Sequence, residues 1–107
     1  IPEVLICSND ELAILLMKTL QQHGYKIPED IGIVGFDDIE LSRMVLPALT
    51  TVHVGKKLMG QKAVQRLLYR MSHPHDSVEK LVLNVDIVER DSVKNPVKVE
   101  ERNIKII

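Results

Sequence analysis

The chain has 107 residues, of which 45% are hydrophobic and 27% charged, and a net charge of −1. That is the size of one small globular domain or of a piece of a larger one. With no block of Lys and Arg, and with only Tyr25, Phe36 and Tyr69 as aromatics, the chain itself is excluded from gripping a phosphate backbone or stacking bases.

In chain order, Val4 to Cys7 reads as a strand. Ser8-Asn9-Asp10-Glu11 has the spacing of a capping box, Ser8 with Glu11, and opens a helix that runs to about His23. Leu12, Leu16 and Leu20, widened by Ala13, give this helix an apolar stripe. Gly24 supplies its left-handed end. Ile14 and Met17 lie off the stripe and are free to face a second surface. Pro28-Glu29-Asp30 turns the chain into a second strand, Ile31 to Gly35. Strand, helix and strand at this spacing predict a right-handed crossover between parallel strands.

After Asp38, Ile39 to Val45 reads as a short helix stopped by Pro47, and Leu49 to His53 as a third strand or extended crossover. A long helix is expected from Lys57 to about Ser72, with Leu58, Met59, Ala63, Leu67, Leu68 and Met71 on its apolar face. That face needs a cover, either its own sheet or a second copy of the chain. His73-Pro74-His75 ends the helix, and Leu81 to Glu89 alternates like a last strand. Ile104 to Ile107 is a candidate edge strand. The fold class is therefore α/β: a three-layer arrangement with a mostly parallel sheet flanked by helices.

Ligands of open α/β sheets bind beyond the carboxyl ends of the strands. Two such ends carry polar groups here: Asn9 and Asp10 after the first strand, Asp37 and Asp38 after the second. One alternative is a metal-dependent hydrolase using Asp10, Asp37 and Asp38, although adjacent side chains at a strand end point different ways. His23, His53, His73 and His75 share no metal-ligand spacing, and no cofactor is expected. Asp38 is expected to cap the following helix or to shape the turn. Cys7, alone of its kind, excludes an internal disulfide and fits a reducing compartment. No apolar run approaches ~18 residues, so no membrane partner is expected.

Ser8-Asn9-Asp10, Ala13, Gly24, Ile27 to Ile31, Val34-Gly35-Phe36-Asp37-Asp38, Pro47, Leu49-Thr50-Thr51-Val52 and Met59-Gly60 follow one another in the order and spacing of a known family. Over residues 3 to 91 the chain resembles the lactose-repressor/galactose-repressor family of bacterial transcription regulators. The resemblance implies a periplasmic-binding-protein-like lobe, truncated, that binds a sugar, nucleobase or related metabolite between two lobes. Operator DNA would be bound only through a separate headpiece that this chain lacks. It further implies that residues 1–51 and 80–91 belong to the C-terminal lobe and 53–72 to the other, with 92–107 a tail of unplaced structure. Asn9 and Asp37 match effector-binding positions, and His53 borders the pocket. Ile14, Met17, Leu41 and Met44 match a homodimer interface. A cytoplasmic location follows from the resemblance; an extracytoplasmic solute receptor of the same fold is the other reading. Leu15, Val54 and Gly55 depart from the family's pattern. Because the chain begins Ile1-Pro2, an upstream part is expected to exist.

Overall fold

The structure, a computed structural model, describes residues 1–94 and 104–106. Its elements are β1 (Val4–Ile6), α1 (Asp10–Gln22), β2 (Gly32–Val34), a 3-10 turn (Glu40–Arg43), β3 (Thr51–His53), α2 (Lys56–Ser72), β4 (Asp86–Val88) and β5 (Ile104–Ile106). β1 pairs in parallel with β2 on one edge and with β5 on the other. β3 and β4 form an antiparallel pair, with His53 opposite Asp86. Parallel bridges from Val34 to Thr50 and from Asp37 to His53 join the far edge of β2 to β3. The fold is thus α/β, and β1, β2 and β3 all run the same way.

The core explains why these short strands hold. Leu5, Cys7, Ala13, Met17, Ile27, Ile31, Ile33 and Leu49 are buried in one cluster, against which Ile14, Leu16, Leu20 and Val45 pack. Each large apolar side chain so placed contributes roughly 1.5–3 kcal/mol. At the end of α1 the Tyr25 N–H donates to Leu20 O and the Gly24 N–H to Gln21 O, while Gly24 sits at φ 87°. That is the left-handed helix ending that Gly24 predicts.

Several expectations are corrected. The residue capping α1 is Asn9, not Ser8: the Asn9 side chain accepts the Leu12 N–H at 2.8 Å. The buried face of α1 is Asp10, Ala13 and Met17, whereas Leu12 is 38% exposed. Met17, expected off the apolar stripe, is 2% exposed and lies in the core of its own chain. The phase of α1 is set by β1 and β2 beneath it, and that rotates Met17 inward. The last strand is only Asp86–Val88, because its partner β3 has only three residues to pair. Residues 81–85 join no ladder. None of α2 is buried.

The start of the tail is built into the core. Ser92 is fully buried: its hydroxyl donates to Ile33 O (2.6 Å) and accepts the Thr50 N–H (2.8 Å), and its carbonyl accepts the Ile33 N–H (2.9 Å). It stands between β2 and the approach to β3 as a substitute for strand pairing. The edge strand expected at the C-terminus is present as β5, except that Ile107 lies outside the described residues, as do residues 95–103.

The chain divides into two compact units, Ile1–His53 with Asp86–Ile107, and Val54–Val85. His53 and Asp86, where the chain leaves and re-enters the first unit, are paired in the β3–β4 ladder. In the second unit Met59, Lys62, Ala63 and Arg66 of α2 line a shallow groove with Leu81 and Leu83.

Candidate functional site

The carboxyl ends of β1, β2 and β3 lie side by side in the first unit. The Asp10 N–H donates to Phe36 O (3.0 Å), which ties the end of β1 to the end of β2. The Asp37 N–H donates to Val52 O (2.9 Å), which ties β2 to β3. Asn9, Asp37 and His53 therefore stand on three adjacent strand ends. Asn9 uses Oδ1 to cap α1, which leaves its amide N–H groups as the donors it can offer. Asp37 and Asp38 are both in left-handed backbone, φ 118° and 58°, which is uncommon for residues other than glycine and is tolerated best by Asp and Asn.

Asp10 and Asp38 have other work. Asp10 is fully buried; its Oδ1 accepts the Thr51 hydroxyl and its Oδ2 accepts the Ile39 N–H at 2.8 Å. Asp38 does not cap the following turn, whose capping position is Ile39. Its Oδ1 accepts Arg90 Nη2 (2.7 Å) and the Ser42 hydroxyl (3.1 Å), and its Oδ2 faces His53 Nδ1 (2.8 Å). With Asp10 sealed inside and Asp38 paired to Arg90, the three aspartates do not assemble an open cluster for a metal-dependent hydrolase. The Cys7 thiol is buried, which pushes its pKa up and suits a core side chain better than a nucleophile.

Burial alone would raise the pKa of Asp38. Hydrogen bonds from Arg90, His53 and Ser42, with the charge of Arg90, outweigh it and hold the carboxyl at about 2, below its ordinary 3.8. A carboxylate whose folded value is depressed contributes stability that is present above its unfolded value and lost as pH falls through its folded one. We expect roughly 2 kcal/mol of stability to disappear between about pH 5 and pH 2 on this account. Urea unfolding of the wild type and of Asp38→Asn over that range measures it; parallel pH profiles for the two would refute it.

Local patterning carried no sign of Arg90, Ser42, Thr51 or Ser92.

A family profile described as a periplasmic binding protein-like domain matches residues 1–93. The chain belongs to that family. It is 41% identical over 97 residues to the HTH-type transcriptional repressor PurR of Vibrio cholerae, covering 91% of this chain and 29% of that protein. It is 37% identical over 98 residues to PurR of Haemophilus influenzae, covering 89% of this chain and 29% of that one. The chain therefore spans under a third of the length of these curated relatives. Among solved structures it is similar to a lac repressor dimer bound to operator and the anti-inducer ONPF, at 32% identity and TM-score 0.80 over 87% of this chain and 32% of that one. It is also similar to a LacI family regulator from Enterococcus faecium with bound ribose, at 34% identity and TM-score 0.77 over 84% of this chain and 34% of that one. These similarities establish the periplasmic-binding-protein-like fold and relate the chain to the effector-binding domain of LacI-family regulators.

Proposed function

We propose that this chain is the ligand-sensing part of a bacterial transcription regulator of the LacI type. The observation that carries the reading is the placing of Asn9, Asp37 and His53 on three adjacent strand ends, in a chain whose relatives are repressors. The ligand is a small polar metabolite, a sugar or a related compound. The Asp37 carboxylate accepts its hydroxyl or N–H groups, which charge-assisted bonds favour. The Asn9 amide donates, and the half-exposed His53 ring flanks the site with the nitrogen that does not face Asp38. Operator DNA is bound by a headpiece outside this chain, and the protein works in the cytoplasm. Among the described residues no helix is long and apolar enough to cross a membrane. The regulator class is favoured over an extracytoplasmic receptor because the relatives named above are repressors.

Ligand occupancy would shift the balance between two arrangements of the lobes, one supplied by residues 1–51 and 80–91 and the other by the segment 53–72. A homodimer would form over Ile14, Leu41 and Met44, of which Leu41 and Met44 are exposed and Ile14 is half-buried. A second copy is also the cover proposed for the apolar face of α2.

Asp37→Asn tests the site. In calorimetric titration against a panel of ribose, cellobiose and nucleobases, the variant should bind the best wild-type ligand roughly 1–3 kcal/mol more weakly while keeping its fold. Equal affinity would remove Asp37 from the site.

A further inference from the structure

Left-handed backbone at two successive residues other than glycine persists only where the surroundings hold it. Asp37 and Asp38 form such a step, at φ 118° and 58°. The backbone bond from Asp37 N–H to Val52 O and the Asp38 carboxylate are among the contacts that hold it. That carboxylate has little contact with water, its side chain being 8% exposed, and it depends on Arg90, whose side chain is 15% exposed. Arg90 is itself fixed on several sides. Nη2 donates to Asp38 (2.7 Å), while Nη1 donates to the Ser42 hydroxyl (2.8 Å) and to Leu49 O (3.0 Å). Its backbone N–H donates to Thr50 Oγ1 (2.9 Å). One planar guanidinium thus reaches the strand-end step, the 3-10 turn and the approach to β3 together, which the point charge of a lysine cannot do.

We propose that Arg90 is a positioning residue: acting through Asp38, it locks the Asp37–Asp38 step and so aims Asp37 at the ligand. The last clause rests on the ligand role given to Asp37 above. His53 joins the same lock from β3, and Arg90 follows β4 by two residues. The strands on which the chain leaves and re-enters the first unit are therefore both tied to the residue that presents Asp37. Nothing in this arrangement asks Arg90 to touch the ligand.

Amide hydrogen exchange of the 107-residue chain, followed by NMR, tests the lock without any ligand. The variants are Arg90→Gln, Arg90→Lys and the near-isosteric Asp38→Asn. In each, exchange at the Asp37 amide should quicken by at least roughly tenfold through local opening. The amides of Ile33, bonded to Ser92 O, and Ala13, bonded to Asn9 O, should quicken no more than each variant's loss of global stability in urea accounts for, and the Asp37 amide should exceed that factor. Equal acceleration of all three amides, or failure of all three variants to fold, would show a general stabilising role and overturn the proposal. An unchanged Asp37 amide would overturn it as well. Because no ligand enters, a failed lock shows in the Asp37 amide, and a failed ligand reading shows only in the Asp37→Asn titration.

Discussion

Gly35→Ala is expected to cost about 3 kcal/mol of folding stability, at the upper end of what overpacking a core does. Gly35 is not among the residues with positive φ, so conformational freedom is not the reason for the glycine. The reason is space. A Cβ there would fall on the Asp10 carboxylate, 2.9 Å from Leu49 Cδ2 and 3.2 Å from Asp10 Cα. Leu49 is fully buried and has nowhere to go. The Asp10 side chain is held by Thr51 and Ile39, and the Asp10 backbone by Phe36 O. Relief would need the first turn of α1 to lift away from β2. Against a total stability of roughly 5–15 kcal/mol, such a loss is large. Urea denaturation measures it. Gly60→Ala in α2, where an added Cβ meets nothing within 4 Å, is the control and should be neutral or slightly stabilising. A Gly35→Ala midpoint equal to the wild type would refute the clash.

Asp10→Ala is expected to cost about as much, by a different route. It leaves the fully buried Thr51 hydroxyl and the Ile39 N–H without an acceptor. A buried donor stranded in this way costs roughly 1–3 kcal/mol, and the part-buried Ile39 N–H adds less. The loss would spread, because these two bonds connect the start of α1 to β3 and to the entry of the 3-10 turn. The two substitutions should also be coupled. Removing the Asp10 carboxylate removes the first atom that the Cβ introduced by Gly35→Ala strikes, while the Leu49 contact remains. The double variant should therefore be less unstable than the sum of the singles by about 1 kcal/mol. A thermodynamic cycle in urea reads this directly, and strict additivity would refute the geometry.

What the sequence determined by itself was local. β1, α1 and β2 were legible because capping residues, a 3.6-residue apolar period and β-branched runs act over a few positions. Gly24 was legible as the end of α1 for the same reason. The strand ends at Asn9 and Asp37 followed from the general placing of ligands in α/β sheets. The choice of Asn9 over Ser8 as cap was not legible, since both side chains can accept the bond and only the start of the helix ladder selects one. Nor was the place of Met17, because which side of α1 faces inward is decided by the sheet under it. The longer strand expected from Leu81 reached only Asp86–Val88, because alternation promises a strand but a neighbour must supply the hydrogen bonds. Above all, Asp10 bonds Thr51 across 41 positions, Asp38 bonds Arg90 across 52 and Ser92 bonds Ile33 across 59. No local pattern encodes such pairs. A buried polar group must find a partner wherever folding brings one near, so only the packed chain decides which residues those are.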